Sequence, residues 1–312
     1  MARPDISIVM PARNEGPRLA GTILSIARAR ATRSRLEFVI ADDQSEDDSN
    51  GHLRAAADEL LREPRIDIKV SRLEQRHGVP RARNFAASLA TAELLFITDA
   101  HVRFTPGWDA MVLEQTRPRR VLAGAVTEAN TQFIGYGCRL VVPFMGTYWN
   151  RDPVTGPTPV QIAACPATVL PRALFQQLGG YDEGMRLYGA AEPEFSLRAW
   201  LSGAELVLLP TLRVEHRFKP RRERQEFMSE VRPFMVHNSL RFGLLYLSEE
   251  GCLQLLRYHA RKFPNLFDDA IRMVEASDVW RRRAMLERRL ERPFSWFVQR
   301  FDLRDQSGEA LL

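Results

Sequence analysis

Residues 94–101 read Leu94-Leu95-Phe96-Ile97-Thr98-Asp99-Ala100-His101, an apolar run that passes straight into an acid, a small residue and an imidazole. A short apolar run closed by polar residues marks a buried strand. A carboxylate and an imidazole two positions apart at a strand-to-loop corner can both face one divalent ion. Asp oxygen and His nitrogen suit Mn²⁺, Zn²⁺ or Fe²⁺ better than Ca²⁺. Three similar runs precede it: ISIVM at 6–10, LEFVI at 36–40 and IDIKVS at 66–71. Between them lie helical patterns. Leu19, Ile23, Ile26 and Ala27 share one face, 49–61 reads as a second helix, and Pro80 opens a third through Ala90, as proline can in a first turn. Strand and helix thus alternate over the first hundred residues, which predicts an α/β fold with a mostly parallel sheet and helices on both faces. Ligands of such sheets bind beyond the carboxyl ends of the strands. Asp42, Asp43, Asp99 and His101 all stand at strand ends, on one expected rim.

Toward the C-terminus the pattern predicts strands at 121–126, 159–170 and 205–209, a Pro-, Gly- and Thr-rich loop at 143–158, and a helix from Glu194 to Leu201. Beyond Lys219 the chain reads as mainly helical. The 312 residues are 45% hydrophobic and 27% charged, a balance that excludes disordered and fibrous chains. No stretch approaches 18 uninterrupted apolar residues, and the N-terminus lacks a signal peptide's apolar core, so a cytoplasmic location is expected. Cys138, Cys165 and Cys252 are widely spaced and odd in number, as reduced thiols are. The net charge is +5, and 279–301 accounts for it, with seven Arg against two Glu. That stretch reads as a solvated helical face, with contact to an anionic membrane surface or nucleic acid as the sharper alternative. Trp108, Trp200, Trp280 and Trp296 sit among apolar neighbours and read as core. Trp149, in GTYWNRDP, reads as facing an acceptor, since aromatic rings stack on sugars and side chains. His52, His77, His237 and His259 have no partner that the sequence names.

A third candidate ligand, His216, lies in VEHRF (214–218). With IVMPARNE (8–15) and VIADDQSEDD (39–48), the chain resembles family 2 of the GT-A glycosyltransferases. The stretch from Arg76 to Arg83, LLFITDAH, Pro106-Gly107-Trp108, Gly180 to Met185, Glu194 to Trp200, Asn238 to Arg241 and Pro293 to Phe297 is similar to the catalytic domain of the polypeptide N-acetylgalactosaminyltransferases. The ordered set spans roughly 6–303. The resemblance implies a GT-A (nucleotide-diphospho-sugar transferase) core over 1–220, with a helical C-terminal region, 221–312, packed on it. It implies Mn²⁺ or another divalent cation on Asp99, His101 and His216, bridging the diphosphate of a UDP-sugar, with Arg13, Asp42, Asp43, Arg76, Asp99 and Arg217 on the donor side. It also implies that 217–224, RFKPRRER, is a mobile lid.

Two departures matter. Where the peptide transferases carry Gly-Gly-Glu-Asn, this chain has Gly189-Ala190-Ala191-Glu192, so that Glu192 stands where inverting family 2 enzymes carry their basic Asp. A carboxylate within reach of a hydroxyl can take its proton during attack. Glu192 is therefore the expected base of an inverting transfer, with Glu194 as a rival acceptor-side carboxylate. The family's Ala-Gly-Gly-Leu-Phe becomes Ala164-Cys165-Pro166-Ala167-Thr168, so the donor sugar does not carry over. The expected activity is transfer of a sugar from a UDP-sugar to a hydroxyl of a peptide, glycan or small molecule. The alternatives are a retaining polypeptide N-acetylgalactosaminyltransferase-like enzyme, a nucleotidyltransferase, and a non-enzymatic basic-surface binding protein. The nucleotidyltransferase would want a Gly-rich phosphate loop, and PARNEGPR is not one. No nucleic-acid partner is expected.

Overall fold

The computed structural model describes residues 3–63 and 65–305. The first half alternates as the sequence predicts: β1 (Ile6–Ala12), α1 (Arg18–Arg28), β2 (Leu36–Asp42), α2 (Ser49–Ala55), α3 (Ala57–Arg62), β3 (Ile66–Arg72), α4 (Val79–Leu89), β4 (Leu94–Ile97), β5 (Val102–Phe104) and α5 (Trp108–Gln115). The helix expected over 49–61 is broken at Ala56 into α2 and α3. There follow β6 (Arg120–Thr127), β7 (Ile134–Gly135), β8 (Cys138–Val141), β9 (Gly146–Trp149), β10 (Thr158–Pro159), β11 (Thr168–Pro171), α6 (Arg172–Leu178), α7 (Ala191–Leu201) and β12 (Glu205–His216). Five helices close the described chain: α8 (Arg221–Tyr246), α9 (Glu249–Lys262), α10 (Pro264–Glu275), α11 (Val279–Arg289) and α12 (Phe294–Phe301).

The main sheet runs β10-β12-β6-β11-β4-β1-β2-β3, with β5 on β12 and β7 on β6. Strands β4, β1, β2 and β3 are parallel, whereas β11 runs antiparallel between β4 and β6. Side chains alternate across the sheet, because successive residues of a strand point to opposite faces. Ile8, Phe38 and Phe96 pack with Leu19, Ile23 and Ile26 of α1 on one face. Val9, Val39 and Ile97 pack with Ala82 and Ala86 of α4 on the other. Leu240 and Phe242 of α8 and Phe297 of α12 join that second core, so the helices after residue 220 share apolar packing with the sheet.

Several expectations fail locally. Part of 143–158 is not loop: β9 pairs with β8 in a hairpin, and a side chain at Gly146 would strike the Phe144 ring at 2.3 Å. The expected strand over 159–170 is two short pieces, β10 and β11, with a turn between them. Only Arg217 to Pro220 of the expected lid is irregular, since Arg221 begins α8. The first half of α8 is largely exposed and the second half, from Val236, is buried. Pro233 lies between the halves and interrupts the helix's hydrogen bonding. Trp280 is 59% exposed, not core, because α11 turns Val279 and Leu286 inward instead.

Candidate active site

Parallel pairing brings the ends of β1, β2 and β4 to one rim, as expected. Strand β12 runs seven residues beyond the expected 205–209, and its end pairs with β5 so that His216 stands opposite Val102. That register carries His216 to the residue beside His101, and the Arg217 N–H donates to the His101 carbonyl at 3.1 Å. Nε2 of His101 and Nε2 of His216 lie 3.2 Å apart, and His216 Nε2 lies 3.4 Å from Asp99 Oδ2. One ligand atom from each of Asp99, His101 and His216 falls within 4.8 Å of the others.

With both rings protonated on Nδ1, the two Nε2 lone pairs would face each other and repel, whereas a cation between them makes that arrangement favourable. Glu15 Oε1 faces His101 Nδ1 at 3.1 Å. Because a carboxylate only accepts, this contact assigns the proton to Nδ1 and leaves Nε2 free to ligate. Burial would raise the Glu15 carboxyl, but His101 and Arg18 hold it below its ordinary value. A carboxylate with two imidazoles is a donor set that fits Mn²⁺, Zn²⁺ or Fe²⁺.

Arg83 is a site residue that the sequence reading did not single out. It is fully buried on α4 and donates through Nη2 to Asp99 at 3.0 Å and through Nη1 to Glu192. Burial opposes the ionisation of Asp99, yet His216 and Arg83 outweigh it and hold the carboxyl well below the usual range. Glu192, in the first turn of α7, is thereby fixed beside Asp99, His101 and His216.

These groups line one cavity of about 550 Å³. Arg13, Asp43, Arg76, Ala164, Cys165, Pro166 and Trp149 line it too. Asp43 accepts from the N–H groups of His77 and Gly78 at 2.7 and 2.8 Å. Arg13 donates to the Gln44 carbonyl and lies 3.1 Å from Glu46, and Arg76 pairs with Glu230 of α8.

Three expected site residues are placed otherwise. Asp42 does not line the cavity, and its oxygens are taken by the Ser45 N–H, Asn50 and Arg72. Arg217 also lies off the cavity and forks onto Glu223, while Lys219 and Arg224 supply the cations there. Glu194 is fully buried, bonded to Arg198 at 2.8 and 2.7 Å and to the Tyr246 hydroxyl at 2.7 Å. With no surface toward the cavity, it cannot meet an acceptor and serves the core. The arginine excess of 279–301 is also partly internal. Arg282 reaches Asp182 at 3.2 Å, Arg283 donates to the Leu244 carbonyl at 2.8 Å, and Arg292 lies over Trp296.

The topology and the rim together define a GT-A fold, an open α/β sheet whose ligands bind beyond the carboxyl ends of its strands. Residues 7–177, more than half of the chain, match the family model of glycosyl transferase family 2, and the chain belongs to that family. It is 28% identical over 314 residues to polypeptide N-acetylgalactosaminyltransferase 11 of Xenopus tropicalis, covering 95% of this chain and 50% of that protein. It is 26% identical over 321 residues to the probable polypeptide N-acetylgalactosaminyltransferase 8 of Homo sapiens, covering 95% and 47%. The chain thus spans about half the length of the curated relatives it matches. Among solved structures, GalNAc-T7 with UDP, GalNAc and Mn²⁺ superposes with a TM-score of 0.72 at 21% identity, over 96% of this chain and 57% of that one. A mannosyltransferase from Pyrobaculum calidifontis in complex with GDP-Man and Mn²⁺ superposes with a TM-score of 0.54 at 19% identity, over 88% and 75%. Among the described residues, no helix is long and apolar enough to cross a membrane.

Proposed function

We propose that this protein is a metal-dependent glycosyltransferase that moves a sugar from a UDP-sugar to a hydroxyl acceptor, with inversion, using Glu192 as general base. The observation that carries the reading is the convergence of Asp99, His101, His216 and Glu192 in one cavity, joined by the buried Arg83. The polypeptide N-acetylgalactosaminyltransferases among the relatives and the UDP and Mn²⁺ bound by GalNAc-T7 support it. A divalent cation bound by Asp99, His101 and His216 would supply Lewis-acid stabilisation of the departing diphosphate. Asp43 and Arg76 border the part of the cavity assigned to the nucleotide, and Arg13 adds positive charge there. Arg83 orients Glu192 through its ion pair. As the acceptor oxygen bonds to the anomeric carbon and the sugar–diphosphate bond breaks, Glu192 takes the hydroxyl proton. Trp149 forms part of the acceptor wall.

The relatives' names give a polypeptide acceptor, and a second reading is a retaining polypeptide N-acetylgalactosaminyltransferase-like enzyme, against which stands the carboxylate of Glu192. The test is product stereochemistry by NMR with Glu192→Gln beside the wild type. Inversion, with a turnover loss of about 10²-fold or more in the variant, is expected for a lost base. Retention, or near-normal turnover of the variant, removes Glu192 from that role.

A further inference from the structure

Glu192 is reached through a backbone that side chains rarely tolerate. Leu187, Gly189 and Ala190 have φ of 42°, 96° and 61°, three left-handed residues within four positions, two of them not glycine. Such a segment persists only when its surroundings fix it. One side is fixed by the donor half of the site. The Val79 N–H donates to the Leu187 carbonyl at 2.8 Å, and a side chain on Gly78 would come within 2.1 Å of the Leu187 Cα. Gly78 is also the residue whose N–H holds Asp43.

The other side is fixed by a single amide from α8. Asn238 is fully buried, and every polar atom of its side chain is used. Its Oδ1 accepts from the Arg186 N–H at 2.8 Å and faces His237 Nδ1 at 2.9 Å. Its Nδ2 donates to the carbonyls of Arg186, Tyr188 and Gly189 at 2.7, 3.0 and 3.0 Å. The helix carrying it cannot drift, because Arg241, one turn on, forks onto the buried Asp182 at 2.7 and 3.0 Å and reaches Asp278 at 2.8 Å. Tyr188, Gly189 and Ala190 line the cavity, and Ala190 caps α7 two residues before Glu192.

We infer that Asn238 is a positioning residue for the transfer, clamping the 186–190 segment against Gly78 so that Glu192 and the acceptor wall are held in register with the donor site. The inference rests on the glycosyl-transfer reading for its kinetic consequence and on the hydrogen bonds alone for its structural one. Misplacement of a reacting group by about 1 Å costs on the order of 10²-fold in rate. The donor half, by contrast, is anchored by Asp43 and the metal ligands, which Asn238 does not touch.

The test uses Asn238→Asp and Asn238→Ala with two readouts, amide hydrogen exchange and steady-state kinetics against UDP-sugar in Mn²⁺. Asn238→Asp is isosteric and keeps the acceptor for Arg186, but it presents a carboxylate to three carbonyls and is the variant of choice if Asn238→Ala does not fold. The expected result is exchange at 186–191 at least about tenfold faster with α8 itself unchanged, kcat lower by about 30- to 100-fold, and donor KM and UDP affinity within about threefold of wild type. Unchanged exchange at 186–191 overturns the clamp. Local exchange with kcat within twofold overturns the positioning role, as does a loss matched by the same loss of UDP affinity. If wild type turns over no UDP-sugar, the glycosyl-transfer reading falls, and the exchange experiment still decides the clamp.

Discussion

Removing the charge of Arg83 while keeping its bulk, as in Arg83→Met, leaves Asp99 and Glu192 facing each other without the cation that joins them. Breaking a buried pair by deleting one partner costs about 3–5 kcal/mol. Arg83 is 2% exposed, whereas the side chains of Asp99 and Glu192 are 20% and 22% exposed, so water screens part of the penalty and the lower end, about 3 kcal/mol, applies. At about 1.5 °C per kcal/mol for 312 residues, this is a Tm loss of roughly 4–5 °C in metal-free buffer. Saturating Mn²⁺ should stabilise the variant more than the wild type, because a cation on Asp99 replaces half of what the guanidinium supplied and binds only the folded state. Differential scanning calorimetry with EDTA and with Mn²⁺ measures both effects. A variant within about 2 °C of wild type in EDTA, or equal Mn²⁺ stabilisation of the two proteins, would refute the claim that Arg83 joins Asp99 and Glu192 electrostatically.

Other consequences are separately measurable. Glu15→Gln removes the carboxylate that fixes the His101 tautomer and should weaken Mn²⁺ binding about 10- to 100-fold by calorimetry; unchanged affinity contradicts that assignment. Glu230→Gln releases Arg76 from an ion pair that is partly exposed and worth at most about 1 kcal/mol. UDP should then bind up to about fivefold tighter, and weaker binding would mean that the pair supports the site. Burial pushes His237 down to about 4 from its ordinary 6.5, so between those values the unfolded chain binds the extra proton and stability falls as pH drops. The loss approaches about 3 kcal/mol near pH 4, and His237→Gln should flatten that part of the denaturation-versus-pH curve.

The parts of the site that follow the strands were legible in the sequence. Asp43, Asp99 and His101 end apolar runs, and parallel pairing has to bring those ends together. His216 could be named as a candidate ligand, but no local pattern put it on the rim, because the apolar run of β12 stops at Leu209 whereas the strand continues through a register shift to His216. Arg83 was missed because Arg81 and Arg83 look alike in a list of residues. Its spacing from Pro80, Ala86 and Ala87 places it on the buried face of α4, and that signal was available. Glu194 misled for the same reason. It and Arg198 are one turn apart on the inward side of α7, a pairing that marks a core ion pair and not an acceptor contact. The contacts of Glu15 with His101 and of Asn238 with Arg186 span 86 and 52 residues, and no local pattern reports them.

The most direct test of the account is release of UDP from a panel of UDP-sugars by the purified protein in Mn²⁺, with a hydroxyl acceptor panel present and His216→Ala run beside the wild type. At least one donor is expected to be turned over, EDTA to abolish the release, and the variant to lose it. No release from any donor, with no calorimetric binding of UDP or UDP-sugar in Mn²⁺, would contradict it.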